Sequence, residues 1–336
     1  MSRNPQPIKG DNPSLSLDEF TTTIFDPDKI VESLDKNGFV IIKNVLNSEE
    51  CKNVIDGAWK CLEKASVDFR TPIDRNNPET WSCIDELSTY KNIFKHYGFA
   101  HSDFMWDVRQ NEKILKIFSL LYNQPTEKLL ASFDGFSFQA PPEIINRGWF
   151  DKDYWFHVDQ SYTRPEKEVY QSWVTARDVQ PGDFTISFFV GSHKSFKDFG
   201  KRFDICNKKD FYKLRTKEQM AFYESRHNRI DVTCLAGSLV IWDSRLLHCN
   251  VRPRRERKEA NFRTICFISY GPRLSGIKFK NLIKKRKDLF EKRSATGHWA
   301  NSRVYASKHN DEKRRRKRIK CITDEPGEIT LKSLVG

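Results

Sequence analysis

Residues 154–162 read YWFHVDQSY, with His157 and Asp159 two apart in an aromatic, strand-like run. Residues i and i+2 of a strand share a face, so Trp155, His157 and Asp159 point one way and Phe156 and Val158 the other. Two ionisable groups on one face cost stability unless they meet partners or water. A shared divalent metal is one such partner, because an imidazole nitrogen and a carboxylate oxygen from one strand cover two adjacent coordination positions. GSLVIWDSRLLHCN offers a third donor: the turn Ala236-Gly237 leads into a strand, and His248 follows. Two histidines and one carboxylate on one side of an ion leave the opposite positions open, which is the facial triad of non-haem Fe(II) chemistry. Further on, Arg263 is the only charged residue of NFRTICFISYG and shares a face with Ile265 and Phe267. An inward arginine calls for an anion, and guanidinium grips a carboxylate through two parallel bonds. With iron as the metal, the distal carboxylate of 2-oxoglutarate is the natural anion.

H-x-D, a distant histidine and an arginine opening the final strand together resemble the Fe(II)/2-oxoglutarate dioxygenases, and within them the phytanoyl-CoA dioxygenase-like branch. The resemblance covers roughly residues 27–275. It rests on NGFVIIKNVLNSEE, DVQPGDFTISFFVGSHK and GSLVIWDSRLLHCN. It implies a double-stranded β-helix (jelly roll, cupin-like) core and an enzyme in which His157, Asp159 and His248 hold Fe(II). Arg263 would receive 2-oxoglutarate, with O2 as the other cosubstrate. Trp173 would line the cosubstrate pocket, Phe136 and Phe138 would face the same site, and Ser244 or Asn250 would hydrogen-bond a carboxylate or a histidine one step behind the metal. Three positions depart from the branch: Asp183 is followed by Phe184 rather than glycine, Val190 replaces the proline before Gly-Ser-His, and Val158 sits inside H-x-D. The last two argue against assuming phytanoyl-CoA as substrate.

The elements that must position these residues are legible in the patterning. Residues 1–26 read as a flexible leader. DPDKIVESLDKN opens a helix at Asp-Pro, GFVIIKNVL is a strand, and NSEECKNVIDGAWKCLEKA is an amphipathic helix with a capping residue. NEKILKIFSLLYNQ is a further helix, and residues 66–90 read as irregular. Short apolar runs follow: LLASFDGFSFQA, YWFHVDQSY, YQSWVTARDV, FTISFFVG, IDVTCLAGSLVIWD and NFRTICFISYG. Strands after a helical beginning predict a mainly antiparallel sandwich or barrel with helices outside, an α+β chain. GIKFKNLIKKRKDLFEKR is helical and basic, so residues 276–336 read as a basic helical extension and tail.

Hydrophobic residues are 38% and aromatics 13% of the 336 residues, enough for a sizeable core. Residues 252–320 hold 24 Lys/Arg against 6 Asp/Glu, while the whole chain carries +13, so the remainder is net acidic. That region is a candidate for nucleic acid or an acidic partner, and Lys313–Arg318 is a candidate nuclear signal. Eight cysteines without C-x-x-C spacing, a polar start and no apolar run of membrane length predict an intracellular, cytoplasmic chain. The remaining histidines read as surface or structural, His193 as a turn residue, and Asp107 with Arg109 as a buried ion pair or part of the entrance. Three readings stay open: an oxygenase of a small organic substrate, a hydroxylase of a macromolecule recruited by the basic region, and a catalytically silent binding module.

Overall fold

The computed structural model describes residues 17–87, 92–150, 154–307, 319–322 and 329–336. The N-terminal part holds β1 (Thr21–Thr23), α1 (Pro27–Asn37), β2 (Phe39–Lys43), α2 (Ser48–Ala65), α3 (Ile84–Leu87), β3 (Ile93–Phe94), α4 (Asp103–Arg109) and α5 (Glu112–Tyr122). Local chemistry fixes their ends. Asp26 accepts from the Lys29 N–H and a proline opens α1. Asn47 and Glu50 form a reciprocal capping box on α2. Gly38, at φ 82°, stops α1 and turns the chain into β2. A Cβ there would lie 2.5 Å from Leu246 and 2.6 Å from His193, so the turn requires glycine.

The strand-rich part runs β4 (Leu129–Ala131), β5 (Phe136–Gln139), α6 (Pro142–Ile145), β6 (His157–Val158), β7 (Tyr170–Thr175) and β8 (Thr185–Phe189). It continues through α7 (Phe196–Arg202), β9 (Tyr212–Lys213), α8 (Lys217–Glu224), β10 (Arg229–Asp231), β11 (Leu239–Asp243), β12 (His248–Val251), β13 (Arg263–Phe267) and β14 (Tyr270–Pro272), and α9 (Ile277–Glu291) follows. The strands form a major sheet, β1-β2-β11-β7-β13-β5-β3, and a minor sheet, β10-β8-β12-β6-β9, while β14 pairs with β4. The two sheets face each other as a jelly roll, the expected core.

Alternation along each strand sorts the side chains into three apolar layers. Phe39, Ile41, Trp173, Val240, Trp242 and Ile265 of the major sheet meet Ile186, Phe188 and Ile230 of the minor sheet between the two. Val40, Ile42, Val174, Phe136, Phe138 and Cys266 point outward and pack under α1, α2, α4 and α5. Phe156, Val158, Cys249 and Val251 pack behind the minor sheet against α7 and α8. Cys249 therefore takes the face opposite His248, and Phe156 and Val158 the face opposite His157, as the period of two requires.

Two boundaries differ from the sequence reading. Residues 17–23, placed in the leader, join the sheet: β1 pairs parallel with β2, and Phe20, 1% exposed, packs on Phe39 at 4.9 Å. A three-residue strand among polar neighbours leaves no readable period. The C-terminal extension is also part of the body, because Arg286 of α9 is fully buried and bonds backbone carbonyls at Ala131, Ala300, Leu334 and Val335. The basic run 313–318 and His309 lie outside the described residues. Among the described residues no helix is long and apolar enough to cross a membrane.

Candidate metal centre

His157 and His248 are direct cross-strand partners on β6 and β12, facing the space between the sheets. Asp159 follows β6 in a bend and anchors its N–H on the Ser244 carbonyl at 3.3 Å. The His157 Nε2 lies 3.6 Å from Asp159 Oδ1, and the His248 Nε2 lies 3.4 Å from Oδ2. One donor atom from each residue falls within 4.8 Å of the others. Among the described residues this is the only such group of three or more His, Cys, Asp and Glu.

Both rings are held from behind. The His248 Nδ1 sits 2.9 Å from the Leu246 carbonyl and the His157 Nδ1 3.4 Å from the Trp155 carbonyl. A carbonyl acceptor assigns the proton to Nδ1 and leaves each Nε2 lone pair aimed inward. Trp155 stacks on His157 at 4.6 Å, and the Phe211 ring lies against it at 4.7 Å, tilted by 39°. The Gln171 amide donates to Asp159 Oδ2 at 3.1 Å. Burial alone would raise the Asp159 carboxyl, but the pull of His157, His248 and His298 holds it below the ordinary carboxylate range. Ligands at right angles on a six-coordinate ion, each roughly 2.1 Å away, stand roughly 3 Å apart. The two histidine–aspartate spacings, 3.6 and 3.4 Å, exceed that by about half an ångström, a gap that small side-chain movements would close on binding, so the donor set suits a ferrous ion.

On the facing sheet, Arg263 shares a surface with Ile265 and Phe267, and β13 pairs Phe267 with Trp173 of β7. Arg263 is 6% exposed and donates from Nε to Ser137 Oγ (3.2 Å) and from Nη1 to the Phe184 carbonyl (2.7 Å), with its guanidinium 4.1 Å above the Phe184 ring. Among the described residues its Nη2 donates to nothing and no carboxylate pairs with it. Burial pushes its pKa down to about 9. The Trp173 indole N–H is buried on the same face without a partner among the described residues. A buried cation without a counter-ion and an orphaned donor fit an absent dicarboxylate.

Four sequence expectations are corrected. Phe136 and Phe138 turn away from the site: β5 is reversed relative to the reading, and Ser137 and Gln139 face inward opposite Ile265 and Arg263. Phe136 instead stacks on Phe94 at 5.3 Å and meets Phe104 at 5.1 Å, and Phe138 meets Trp59 at 4.8 Å. The Ser244 hydroxyl is spent on Gln160 Oε1 at 2.7 Å, so it braces the residue after Asp159 rather than facing a cofactor. Asn250 offers its backbone carbonyl to the Trp155 indole. Arg109 forms no pair with exposed Asp107; it donates to the Ser132, Ala100 and Asp134 carbonyls. His298, read as surface or structural, is half-buried in the loop after α9, where the Asp159 and His248 charges act on it. His193 is a turn residue bonded to the Asp35 carbonyl, and His101 is buried against the Ser294 carbonyl.

Three further site residues escaped the sequence reading. Gln171 lies two residues before Trp173, a spacing that carries the signal. Phe211 has a φ of 69°, a strained conformation for a bulky residue, and its solvent-exposed ring covers His157. His298 gave no signal, because a loop has no period.

A jelly roll carrying two histidines and a carboxylate on one sheet, with an arginine facing them, defines a non-haem iron oxygenase. The Phytanoyl-CoA dioxygenase (PhyH) family profile matches residues 34–249, and the chain belongs to that family. It is an Fe(II)- and 2-oxoglutarate-dependent dioxygenase. It is 25% identical over 251 residues to Ava biosynthesis cluster protein O of Aspergillus versicolor, covering 70% of this chain and 78% of that one. Two solved structures share the fold. A putative oxidoreductase of Salmonella typhimurium LT2 has a TM-score of 0.58 at 11% identity, covering 87% of this chain and 83% of that one. GlcNAc Inducible Gene 2 of Candida albicans has a TM-score of 0.55 at 12% identity, covering 94% and 82%.

Proposed function

We propose that the enzyme hydroxylates a small organic substrate, converting substrate, O2 and 2-oxoglutarate to the alcohol, CO2 and succinate. His157, Asp159 and His248 are the iron ligands in this reading, and Arg263 receives the distal carboxylate of 2-oxoglutarate. Iron bound there would supply dioxygen activation. The observation that carries the reading is the convergence of three donor atoms within 4.8 Å from residues 157, 159 and 248.

Each chain residue has a defined task. The Leu246 and Trp155 carbonyls hold the imidazoles in the tautomer that presents Nε2. Gln171 fixes the Asp159 carboxylate by its Oδ2, and Ser244 and Gln160 brace the bend behind it. Arg263 keeps Nη2 free for an incoming carboxylate, and the Trp173 N–H offers a second donor. Trp155 and Phe211 cover the His157 ring and limit water beside it. The name of the Aspergillus versicolor relative, a biosynthesis cluster protein, supports a small-molecule substrate.

Succinate release from 2-oxoglutarate, with Fe(II) and a metabolite extract, tests the reading. Wild type is expected to form succinate, and His157→Ala to lose more than the roughly 100-fold that removing an outer partner costs. Undiminished succinate in that variant would overturn the assignment.

A further inference from the structure

The family match ends at residue 249, yet a later segment reaches the site. After α9 the chain turns at Arg293 and crosses back over the sheets, pinned at successive points. The Thr296 N–H donates to the Phe133 carbonyl at 2.7 Å, and the Phe133 N–H to Thr296 Oγ1 at 3.0 Å. Arg286 holds the Ala300 carbonyl at 2.7 Å, and the Asn301 amide donates to the Pro272 carbonyl at 2.9 Å. Arg303 pairs with Glu168 at 2.6 Å and with Asp210 at 3.1 Å, and its guanidinium lies 3.8 Å above the Trp299 ring.

The last pin ties the strap to the metal centre. Asp210 accepts from the Ser161 N–H, two residues past Asp159, and Phe211 beside it lies against the His157 ring. Arg164 joins Glu168 and Asp210. His298 lies between the pins at Thr296 and Arg303. Its Nε2 is shielded from solvent and has no hydrogen-bond partner among the described residues. The geometric tie is Arg303, which holds Asp210, the residue that takes the Ser161 N–H two positions past Asp159; the charges of Asp159, Asp134 and Asp210 act on the imidazole. A shielded polar nitrogen is normally satisfied, so this one, on a segment pinned to the loop that follows Asp159, is available to a ligand.

We propose that His298 is a specificity-determining residue that hydrogen-bonds a neutral polar group, a hydroxyl or carbonyl, on the organic substrate. A neutral imidazole carries one N–H donor and one lone-pair acceptor, so it can serve either a hydroxyl or a carbonyl. The three neighbouring carboxylates disfavour an anionic group at that position. This rests on the iron-site reading above, and the extension beyond the family match would then select the substrate.

The test uses the full chain loaded with Co(II) or Zn(II), with 15N-labelled histidine. A ring signal missing from His298→Gln should shift with paramagnetic Co(II) relative to Zn(II). In parallel, wild type, His298→Ala and His298→Gln receive Fe(II), 2-oxoglutarate and a polar metabolite extract, and oxygenated products are followed by mass spectrometry. His298→Ala should raise the KM for the product-forming metabolite roughly tenfold with Co(II) affinity unchanged, and His298→Gln should recover most of the loss. An unshifted ring signal, or product formation by His298→Ala with wild-type KM, would overturn the proposal. Wild type that takes up no Co(II) would overturn the iron-site reading itself.

Discussion

Arg286 and Arg263 are both buried arginines without a carboxylate partner among the described residues, but they are used differently. Arg286 donates from Nε to the Val335 carbonyl, from Nη1 to Ala300, and from Nη2 to Ala131 and Leu334, and it lies 4.6 Å above the Phe133 ring. Arg263 has two bonds and leaves Nη2 unused among the described residues. Charge state does not separate them, because burial pushes both down to about 9. The donor inventory does. An arginine whose fork is saturated by carbonyls staples chain segments together, and one with a free edge facing a metal-ligand set awaits a ligand.

Substituting each arginine sharpens that contrast. Arg286→Met strands four buried carbonyls and should lower unfolding stability by roughly 3–4 kcal/mol, with 2-oxoglutarate affinity kept. Thermal unfolding measures the first and calorimetric titration the second. Arg263→Met should do the reverse. Losing a charge-assisted carboxylate contact of roughly 1.5–3 kcal/mol weakens 2-oxoglutarate binding about 10–100-fold. Removing an uncompensated buried cation leaves the melting temperature equal or higher. Matching losses of stability in the two variants would erase the distinction.

The pH dependence of the Arg263 region follows with its sign. Its folded pKa, about 9, lies below the ordinary 12.5, so the unfolded chain binds more protons between those values. Stability from this group therefore rises with pH across that window, while the cation that receives the carboxylate is lost. The Kd for 2-oxoglutarate should be flat below pH 9 and rise about tenfold per unit above it, a trend absent from Arg263→Met. A smaller effect is expected one step behind the metal. Gln171→Ala frees the Asp159 Oδ2 and should cost about tenfold in Fe(II) affinity. An unchanged affinity would remove Gln171 from the positioning network.

The same contrast explains what the sequence made legible. His157, Asp159, His248 and Arg263 could be read because strands impose a period of two, and a charged residue in an apolar run stands out against it. α1, α2 and α5 were legible because Asp26, Asn47 and Asn111 cap amphipathic runs. Phe136 was misread because every residue of β5 is buried, so burial carries no phase and a one-residue error reverses the faces. Gln171 sits in a strand buried at every position for the same reason. His298 was missed because long-range pins between Thr296, Arg303 and distant loops place it, and no local pattern records them. Arg286 looked like one cation among many in a basic helix.

The most direct measurement is an anaerobic titration of the full chain with Fe(II) and then 2-oxoglutarate, following the visible charge-transfer absorption of a ferrous 2-oxo acid chelate. The account predicts one equivalent of each for wild type, none for His248→Ala, and a 2-oxoglutarate midpoint shifted upward for Arg263→Met. A chelate of undiminished strength in His248→Ala would contradict the metal centre on which everything else rests.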